Sequence, residues 1–381
     1  METKKSSILD FLSEKNIIEI PVWQREFIWN EPQVVQLYED IEAMINNSGI
    51  PAHFFGVVLH MPSATVFSET ILVDGHQRVV ATSLFLCALC NYFKADNYKD
   101  ALLFSAAVGE KRPKIRCLSQ LENEYENILI NEDFAYMENS SYSKIYRFFF
   151  DKIETNNYSM EDYFNALKRF EIADISLWPK DNPQLVYDSM NSTGTSLTVF
   201  EKIKNYLFIG LPSEEQFDIW QKYWKPIEKL FEKNEDLFND FMISYISMQV
   251  EKTVSKANLN ILFNKFYNFK RKYKDTADIV AEIFKFAQYF VRIRNTDFSD
   301  EIAVEMEKII SIYDKPALYS FLFEITDDFQ SGLIPKKIYI DILKNTSAYL
   351  KNAIENKEKI DFANLSKTIS KLLAQKYEQG D

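Results

Sequence analysis

The chain has few of the side chains that bind transition metals or form disulfides, with three histidines and three cysteines in 381 residues. An odd number of cysteines, behind a polar start at Met1–Lys5 that lacks the apolar core of a signal peptide, predicts a protein of the reducing cytoplasm. Without a cluster of cysteine and histidine, a zinc site is not expected. Cys87 and Cys90 have CxxC spacing but stand inside an apolar run, which favours buried thiols.

Long apolar runs and an excess of positive charge are also missing. No segment approaches the roughly 20 apolar residues that span a bilayer, so no membrane partner is expected. The net charge is −12. Because phosphate neutralisation drives non-specific DNA binding, this balance argues against a protein that coats DNA and leaves only a local basic groove. For the densest basic run, Lys265–Lys274, the ordinary gathering of Lys and Arg at a helix end is favoured over a nucleic-acid contact.

Glycine is scarce after residue 210, where only Gly332 and Gly380 remain. Residues 211–381 have the spacing of successive amphipathic helices, which predicts an all-α helical bundle domain. Residues 1–210 alternate helical patterns with short β-branched runs, and we expect there an α/β (α+β) domain with a small mixed sheet and a helical insertion. Its strands are expected around residues 17–22, 54–73, 113–118 and 170–177.

The most informative segment is an apolar run, Ile71–Val73, that ends in Asp74 and Gly75 and passes through the polar His76–Arg78 into an apolar helix. In such a strand–turn–helix, the free N–H groups and the positive end of the helix dipole bind phosphate. Arg78 could place its guanidinium fork on phosphate oxygens, and the Asp74 carboxylate could hold Mg²⁺. The alternative is a plain helix cap, in which Asp74 satisfies free N–H groups and Gly75 relieves the backbone.

Three more polar residues are candidates for the same site. His76, with an ordinary pKa near 6.5, could act as acid, base or phosphate donor, although a lone histidine is more often structural. Gln24 and Arg25 stand among aromatic residues in Trp23–Trp29. Arg25 would add a second positive charge for a polyphosphate, and Gln24 would bond to a base or sugar. The alternative is an edge segment with buried aromatics and a solvated Arg25.

Asn191 and Thr193 lie in a glycine-containing turn between two helical patterns. The turn is either a plain connection, in which Asn and Gly tolerate positive φ, or a source of polar contacts to a nucleotide. In the second case Lys204 or Asn205 would reach the same pocket from the following helix.

Three segments resemble the motifs of the GmrSD-type, modification-dependent restriction proteins. Asp74–Arg78 resembles the DGQQR signature of their ParB-like domain, and Ile20–Trp29 is similar to the family's IPxYQRxYxW. Asn191–Leu197, with Glu201, Lys204 and Asn205 after it, is similar to LNstGxxLsxxDLiKn. The motifs occur in the family's order within residues 1–210. The resemblance implies a ParB-like nucleotide-handling domain in phage defence, with Mg²⁺ and a nucleoside triphosphate as cofactors.

The resemblance also implies roles for individual residues. Asp74, His76, Gln77 and Arg78 would form the catalytic set, with Asp74 as metal ligand and Gln77 positioning water. The residues in contact with the nucleotide would be Gln24, Arg25, Gly75, Arg78, Asn191, Thr193 and Lys204. At the position of the first Gln in the family's DGQQR signature, this chain has His76. This departure bears on nucleotide hydrolysis more than on nucleotide binding.

Relatives in this family often carry an HNH nuclease, which needs a catalytic histidine. The last histidine here is His76, so residues 79–381 hold no HNH nuclease. Our leading hypothesis is a nucleotide-binding, NTP-hydrolysing component of a restriction system, which acts as the sensor or the regulator of a partner nuclease. The second is a non-enzymatic module that recognises modified DNA or a protein partner. A third, a nuclease using Asp40, Glu69 and Asp74, has no recognisable metal-ligand pattern. The oligomeric state is left open.

Overall fold

The computed structural model describes residues 1–25, 27–63, 69–105, 111–117, 122–130, 140–178, 180–181, 183, 186–187, 198–232, 234–249, 259–362 and 365. The chain forms two compact units. The first comprises Met1–Ser196 and Phe208–Phe217, and the second comprises Leu197–Leu207 and Asp218–Asp381.

The first unit contains a six-stranded mixed sheet. Its strands are β1 (Glu2–Ser7), β2 (Ile17–Ile20), β3 (His53–Pro62), β4 (Glu69–Asp74), β7 (Ile115–Cys117) and β8 (Phe170–Ser176). They lie in the order β1-β8-β3-β4-β2-β7. The pairs β1–β8 and β3–β4 are antiparallel, and β8–β3, β4–β2 and β2–β7 are parallel. A separate antiparallel ribbon is formed by β5 (Phe104–Ser105) and β6 (Arg112–Pro113).

Alternation along β2 and β4 divides their side chains between the two faces of the sheet. Ile18 and Leu72 join the main apolar core of this unit. Glu19 is paired in register with Ile71, two residues after Glu69, so both carboxylates lie on the opposite face. Both are buried, at 3% and 7% exposure. One face of the sheet at β2 and β4 is therefore apolar and belongs to the core, and the other carries two buried acidic side chains.

Helices cover the core face of the sheet. They are α1 (Ile8–Glu14), α2 (Glu31–Asn46), α3 (His76–Tyr92), α4 (Asp96–Leu103), α5 (Glu122–Ile130), α6 (Ser141–Thr155) and α7 (Met160–Leu167). α3 is buried along most of its length, because it packs against α6 and α4 and shares one core with Val58 and Leu72 of the sheet. A helix without a polar face belongs inside a domain, and α3 is the central helix of this one.

The described residues of the second unit form helices. They are α8 (Val199–Phe208), α9 (Ser213–Ile219), a π-helical turn (Trp220–Trp224), α10 (Lys225–Phe231), α11 (Glu235–Gln249), α12 (Leu259–Lys270), α13 (Thr276–Arg294), α14 (Asp300–Ile312), α15 (Pro316–Gln330) and α16 (Lys336–Glu355). The last residue of α8 and the first five residues of α9 belong to the first unit. Aromatic rings fill the core: Phe241 lies 5.3 Å from Phe231 and 5.7 Å from Phe290 between ring centroids. α12 ends at Lys270, inside the basic run, as the helix-end interpretation predicts.

The fold class predicted from the sequence is confirmed: an α/β region with a mixed sheet precedes an all-helical region. β1 was not predicted, because its sequence Glu-Thr-Lys-Lys-Ser-Ser has no apolar alternation, and its backbone pairing with β8 forms the strand instead. Across the described ranges, none of the helices is both long and apolar enough to cross a membrane.

Candidate functional site

Helix α3 begins at a glycine in the left-handed conformation. Gly75 has φ +92°, and a Cβ at this position would lie 2.8 Å from the Val57 carbonyl oxygen and 3.2 Å from Val58 Cα. Glycine is therefore required both by the backbone angle and by the approach of α3 to β3. The first helical hydrogen bond runs from Val79 N to Gly75 O, and the first turn holds no acidic residue. The positive end of the dipole is thus not offset by acidic side chains of the helix's own first turn.

Arg78 lies in this first turn with its guanidinium against β3. Its Nη1 donates a hydrogen bond to the Val57 carbonyl oxygen at 3.2 Å. The guanidinium lies over Gly56, where a Cβ would come within 2.8 Å of Arg78 Cζ. Gly56 has φ +114°, and the pairing of β3 with β8 shifts register between Phe54 and Gly56. Sequence reasoning missed Gly56, although a glycine inside a strand pattern is a recognised sign of a bulge or a close approach.

Arg25 and Arg78 act on the same carboxylate. Burial raises the pKa of Asp74, and the backbone N–H of Gly75 and the positive charges of Arg78 and Arg25 oppose this rise. Asp74 ends β4 and is partly buried. The structure therefore brings the segment after β2 and the start of α3 together, and the positive charges of two guanidinium groups act on one carboxylate. The local excess of positive charge is suited to an anionic ligand.

Gln24 ties the segment after β2 to the end of β4. Its side chain is 5% exposed, and Nε2 donates to the carbonyl oxygens of Val73 at 2.5 Å and Leu72 at 3.3 Å. Its Oε1 is buried and has no hydrogen-bond partner among the described residues. Because an unsatisfied buried acceptor costs free energy, a donor that reached this amide oxygen would stabilise the site.

Gln77 holds the same segment through its amide oxygen. Oε1 accepts hydrogen bonds from the backbone N–H groups of Ile28 at 3.0 Å and Trp29 at 3.2 Å. With the oxygen so placed, Nε2 lies 2.7 Å from Nε2 of His76. The side chain is 6% exposed. Gln77 is therefore already bonded at both ends of its amide, and the water-positioning role stays a prediction.

His76 is a buried, neutral imidazole. Burial, and then the positive charge of Arg25, lower the pKa of His76 to about 3. Because the amide nitrogen of Gln77 can only donate, His76 Nε2 accepts this bond and the ring proton is on Nδ1. At neutral pH such a ring is not protonated and has no positive charge to offer a phosphate. The structure thus places His76 in the site but favours a packing and hydrogen-bonding part over acid catalysis.

The remaining predicted nucleotide contacts belong to the second unit or lie outside the described residues. Lys204 belongs to the second unit, is 8% exposed, and has its Nζ 2.7 Å from Oε1 of Glu228. Thr198 and Glu201 form a capping box at the start of α8, with Glu201 N donating to Thr198 Oγ1 at 3.1 Å and Thr198 N donating to Glu201 Oε2 at 2.9 Å. Asn191 and Thr193 lie outside the described residues. The contacts of Asn191, Thr193 and Lys204 with a nucleotide stay predictions.

A second polar cluster lies on the other face of the sheet. Glu19 Oε1 accepts a hydrogen bond from Ser213 Oγ at 2.6 Å. Burial raises the pKa of Glu19 to about 7, against the Ser213 hydroxyl, and the neighbouring Glu69 carboxylate adds to the rise. Arg116 Nη1 lies 3.9 Å from Glu69 Oε1. Sequence reasoning did not single out Glu19, because one acidic residue in a four-residue strand gives no pattern.

The described carboxylates do not form a metal centre by themselves. Asp40 Oδ2 lies 3.5 Å from His53 Nε2, Glu69 is beside Arg116, and Asp74 is beside the two site arginines. Within the described ranges, no three His, Cys, Asp or Glu side chains are grouped to hold a metal. Asp74 alone fits a Mg²⁺ that is carried mainly by nucleotide phosphates and water, as is usual for this ion.

Comparison with known proteins identifies the family. No curated protein matches the chain. The family model for the N-terminal domain of GmrSD restriction endonucleases matches residues 8–208. This range is more than half of the 381 residues and contains both the Gln24–Arg25 segment and the Asp74–Arg78 turn. The chain therefore belongs to the family of the GmrSD restriction endonuclease N-terminal domain.

Proposed function

We propose that this chain is the nucleotide-binding, regulatory component of a restriction system and that the nucleotide binds at the Asp74–Arg78 turn. The observation that carries the proposal is the pair of guanidinium groups, Arg25 and Arg78, at the start of a helix whose first turn lacks acidic residues. Membership in a restriction-protein family gives the biological setting. The chain would act on DNA through a partner nuclease, since residues 79–381 contain no histidine for an HNH site.

In the proposed complex, the phosphates contact the first N–H groups of α3 and the two guanidiniums. Gln24 Oε1, which is buried and unpaired among the described residues, accepts a hydrogen bond from the base or from a sugar hydroxyl. Asp74 would hold a Mg²⁺ that is bound with the phosphates, and the ion would neutralise part of their charge. The role of the protein's own residues is to bind and orient the triphosphate and to neutralise part of its charge.

The test of this proposal is isothermal titration of ATP, GTP, CTP and UTP, each with Mg²⁺, into the full chain. We expect one of them to bind, and Arg78→Ala to weaken that binding about 10–100-fold, since a charged hydrogen bond contributes about 1.5–3 kcal/mol. Arg271→Ala is the matched control, because it removes an exposed guanidinium from the second unit. Unchanged affinity in Arg78→Ala, or no binding to the unsubstituted chain, would overturn the proposal.

Hydrolysis is the second part of the proposal, and phosphate release by the nucleotide-bound protein tests it. Turnover would require Gln77 to exchange a backbone hydrogen bond for one to water. Release of phosphate that Arg78→Ala abolishes would make the chain an NTPase switch. Binding without release would make it a nucleotide sensor.

A second candidate function is a non-enzymatic module that recognises modified DNA or a protein partner through the same site. The observation in its favour is the low pKa of His76, about 3, together with the bonded amide of Gln77, which leave the signature without an obvious acid or a free water-binding amide. Titration with modified and unmodified DNA separates it from the leading proposal. Binding of modified DNA by a chain that binds no nucleotide would favour this candidate.

A further inference from the structure

Strand β3 contacts the first turn of α3 at three consecutive residues. The β3 bulge places Gly56 under the guanidinium of Arg78, and Val57 O accepts a hydrogen bond from Arg78 Nη1. Val57 O and Val58 Cα are also the atoms that Gly75 approaches most closely. One short stretch of strand therefore fixes both the start of α3 and the guanidinium group beside it.

The guanidinium lies with its plane against Gly56. A Cβ on Gly56 would be 2.8 Å from Arg78 Cζ, 2.9 Å from Nε and 3.0 Å from Nη2. Because these three distances are nearly equal, the position of the added Cβ lies above the plane of the guanidinium and not at its edge. The first two are shorter than real Cβ contacts allow and the third is at the limit, so any side chain at residue 56 would displace the end of Arg78.

We propose that Gly56 is a positioning residue that, with the Val57 carbonyl, holds the Arg78 guanidinium in place for the ligand's phosphates. The inference rests on the proposed function and adds a positioning residue outside the Asp74–Arg78 motif. One of five guanidinium N–H groups is used on Val57 O, and the fork is oriented before the ligand arrives. Preorientation avoids the entropic cost of fixing a long side chain on binding.

The alternative is that Gly56 serves only the backbone, since φ +114° disfavours any other residue. The chain offers a matched control for that effect. Gly210 lies in the same unit, has φ +92°, and a Cβ there would have no heavy atom within 4 Å. Gly210→Ala therefore introduces a similar backbone strain without a clash, whereas Gly56→Ala introduces both.

The experiment is a double-mutant cycle in the full chain, with ATP, GTP, CTP and UTP plus Mg²⁺ as probes and urea unfolding as the folding check. We expect Gly56→Ala to lower the affinity for the nucleotide that binds by about tenfold or more, which is a loss of roughly 1.4 kcal/mol in binding free energy. Gly210→Ala should bind within about twofold of the unsubstituted chain. Added to Arg78→Ala, Gly56→Ala should cause no further loss, because its effect acts through the guanidinium.

Each failure has its own signature. If Arg78→Ala loses binding and Gly56→Ala does not, the part assigned to Gly56 is wrong and the nucleotide site stands. Additive losses would likewise show that Gly56 does not act through Arg78. If the unsubstituted chain binds none of the probes, both proposals fall. If Gly56→Ala does not fold, Arg78→Lys is the second test, because an ammonium keeps the charge but has no planar fork to lie against Gly56. Arg78→Lys should then weaken nucleotide binding about as much as Arg78→Ala, and affinity equal to that of the unsubstituted chain would overturn the inference.

Discussion

Gln77 shows how one residue of the signature holds the site together. Its amide oxygen accepts from Ile28 N and Trp29 N, so Gln77→Ala would leave two partly buried backbone donors without their acceptor. We expect a loss of about 1–3 kcal/mol in the free energy of unfolding and faster hydrogen exchange at these two amides. Exchange mass spectrometry over residues 27–30 measures this directly.

Gln36→Ala is the control for that prediction, because Gln36 is exposed and bonds only to the Asp40 carboxylate among the described contacts. Unchanged exchange at Ile28 and Trp29 in Gln77→Ala would show that the bonds contribute nothing. A loss of phosphate release with unchanged exchange would instead assign Gln77 to the positioning of water.

Glu19 gives the fold a pH dependence with a definite sign. Burial raises its pKa from 4.5 to about 7, so the folded protein holds this proton more tightly than the unfolded chain does. The resulting stability is fully present below pH 4.5 and is lost as the pH rises through 7, amounting to about 3 kcal/mol. Glu19→Gln keeps a neutral side chain at every pH. We expect it to be more stable than the unsubstituted chain at pH 8, by urea unfolding.

At pH 5 the advantage of Glu19→Gln should largely disappear, since Glu19 is then mostly protonated in the folded protein. Glu39→Gln is the control, because it removes one exposed carboxylate on α2. The same pH profile for Glu19→Gln and the unsubstituted chain would contradict the assignment. A shift that Ser213→Ala enlarges would support it, because the Ser213 hydroxyl lowers this pKa.

At the scale of elements, the start of α3 depends on its contact with β3. Gly75 and Gly210 have the same φ of +92°, but only Gly75 faces backbone atoms, with Val57 O 2.8 Å from an added Cβ. Gly210→Ala should cost about 1 kcal/mol of backbone strain. Gly75→Ala should cost about 1–3 kcal/mol more, because a backbone clash is relieved only by moving an element. Urea unfolding of the two variants measures the difference, and equal losses would mean that α3 can shift freely.

The elements that the sequence predicts best are those whose pattern is local. β2 and β3 lie in the segments around residues 17–22 and 54–73, where short β-branched and aromatic runs predict strands. α13 (Thr276–Arg294) lies in the part of the chain where amphipathic spacing predicts successive helices. The strand–turn–helix at Asp74–Arg78 was predicted for the same reason. Long-range pairing was harder, because β1 is polar and exists through β8.

The sequence motif of the candidate site was recognised, but the contacts that hold its side chains in place were not predicted. The Arg78–Gly56 contact joins residues 22 positions apart and depends on a bulge that no periodicity reports. Nor could the pairing of Lys204 with Glu228 be predicted, because it depends on how α8 packs against α10. Gln24 was predicted to contact the nucleotide and Gln77 to position water, and the hydrogen bonds of both side chains to backbone groups became visible only with the fold.

For the whole molecule, the proposed regulation requires the nucleotide site to influence the helical unit. The chain passes between the two units three times, at residues 196–197, 207–208 and 217–218. A ligand that binds only one conformation stabilises it by about 2.7 kcal/mol at a concentration of 100 times its Kd. A ligand shifts a second unit only if its affinity differs between that unit's two states.

Hydrogen exchange of the full chain with and without nucleotide tests this regulation. We expect protection at residues 20–29 and 74–80, where the nucleotide is proposed to bind, and an altered exchange rate in helices of the second unit. The nucleotide should produce neither change in Arg78→Ala and both in Arg271→Ala. Changes confined to the first unit would mean that binding is not transmitted, and the chain would then be a nucleotide-binding module without a switch. Changes in both units that persist in Arg78→Ala would place the nucleotide elsewhere, because the guanidinium of Arg78 is the contact on which the proposed site depends.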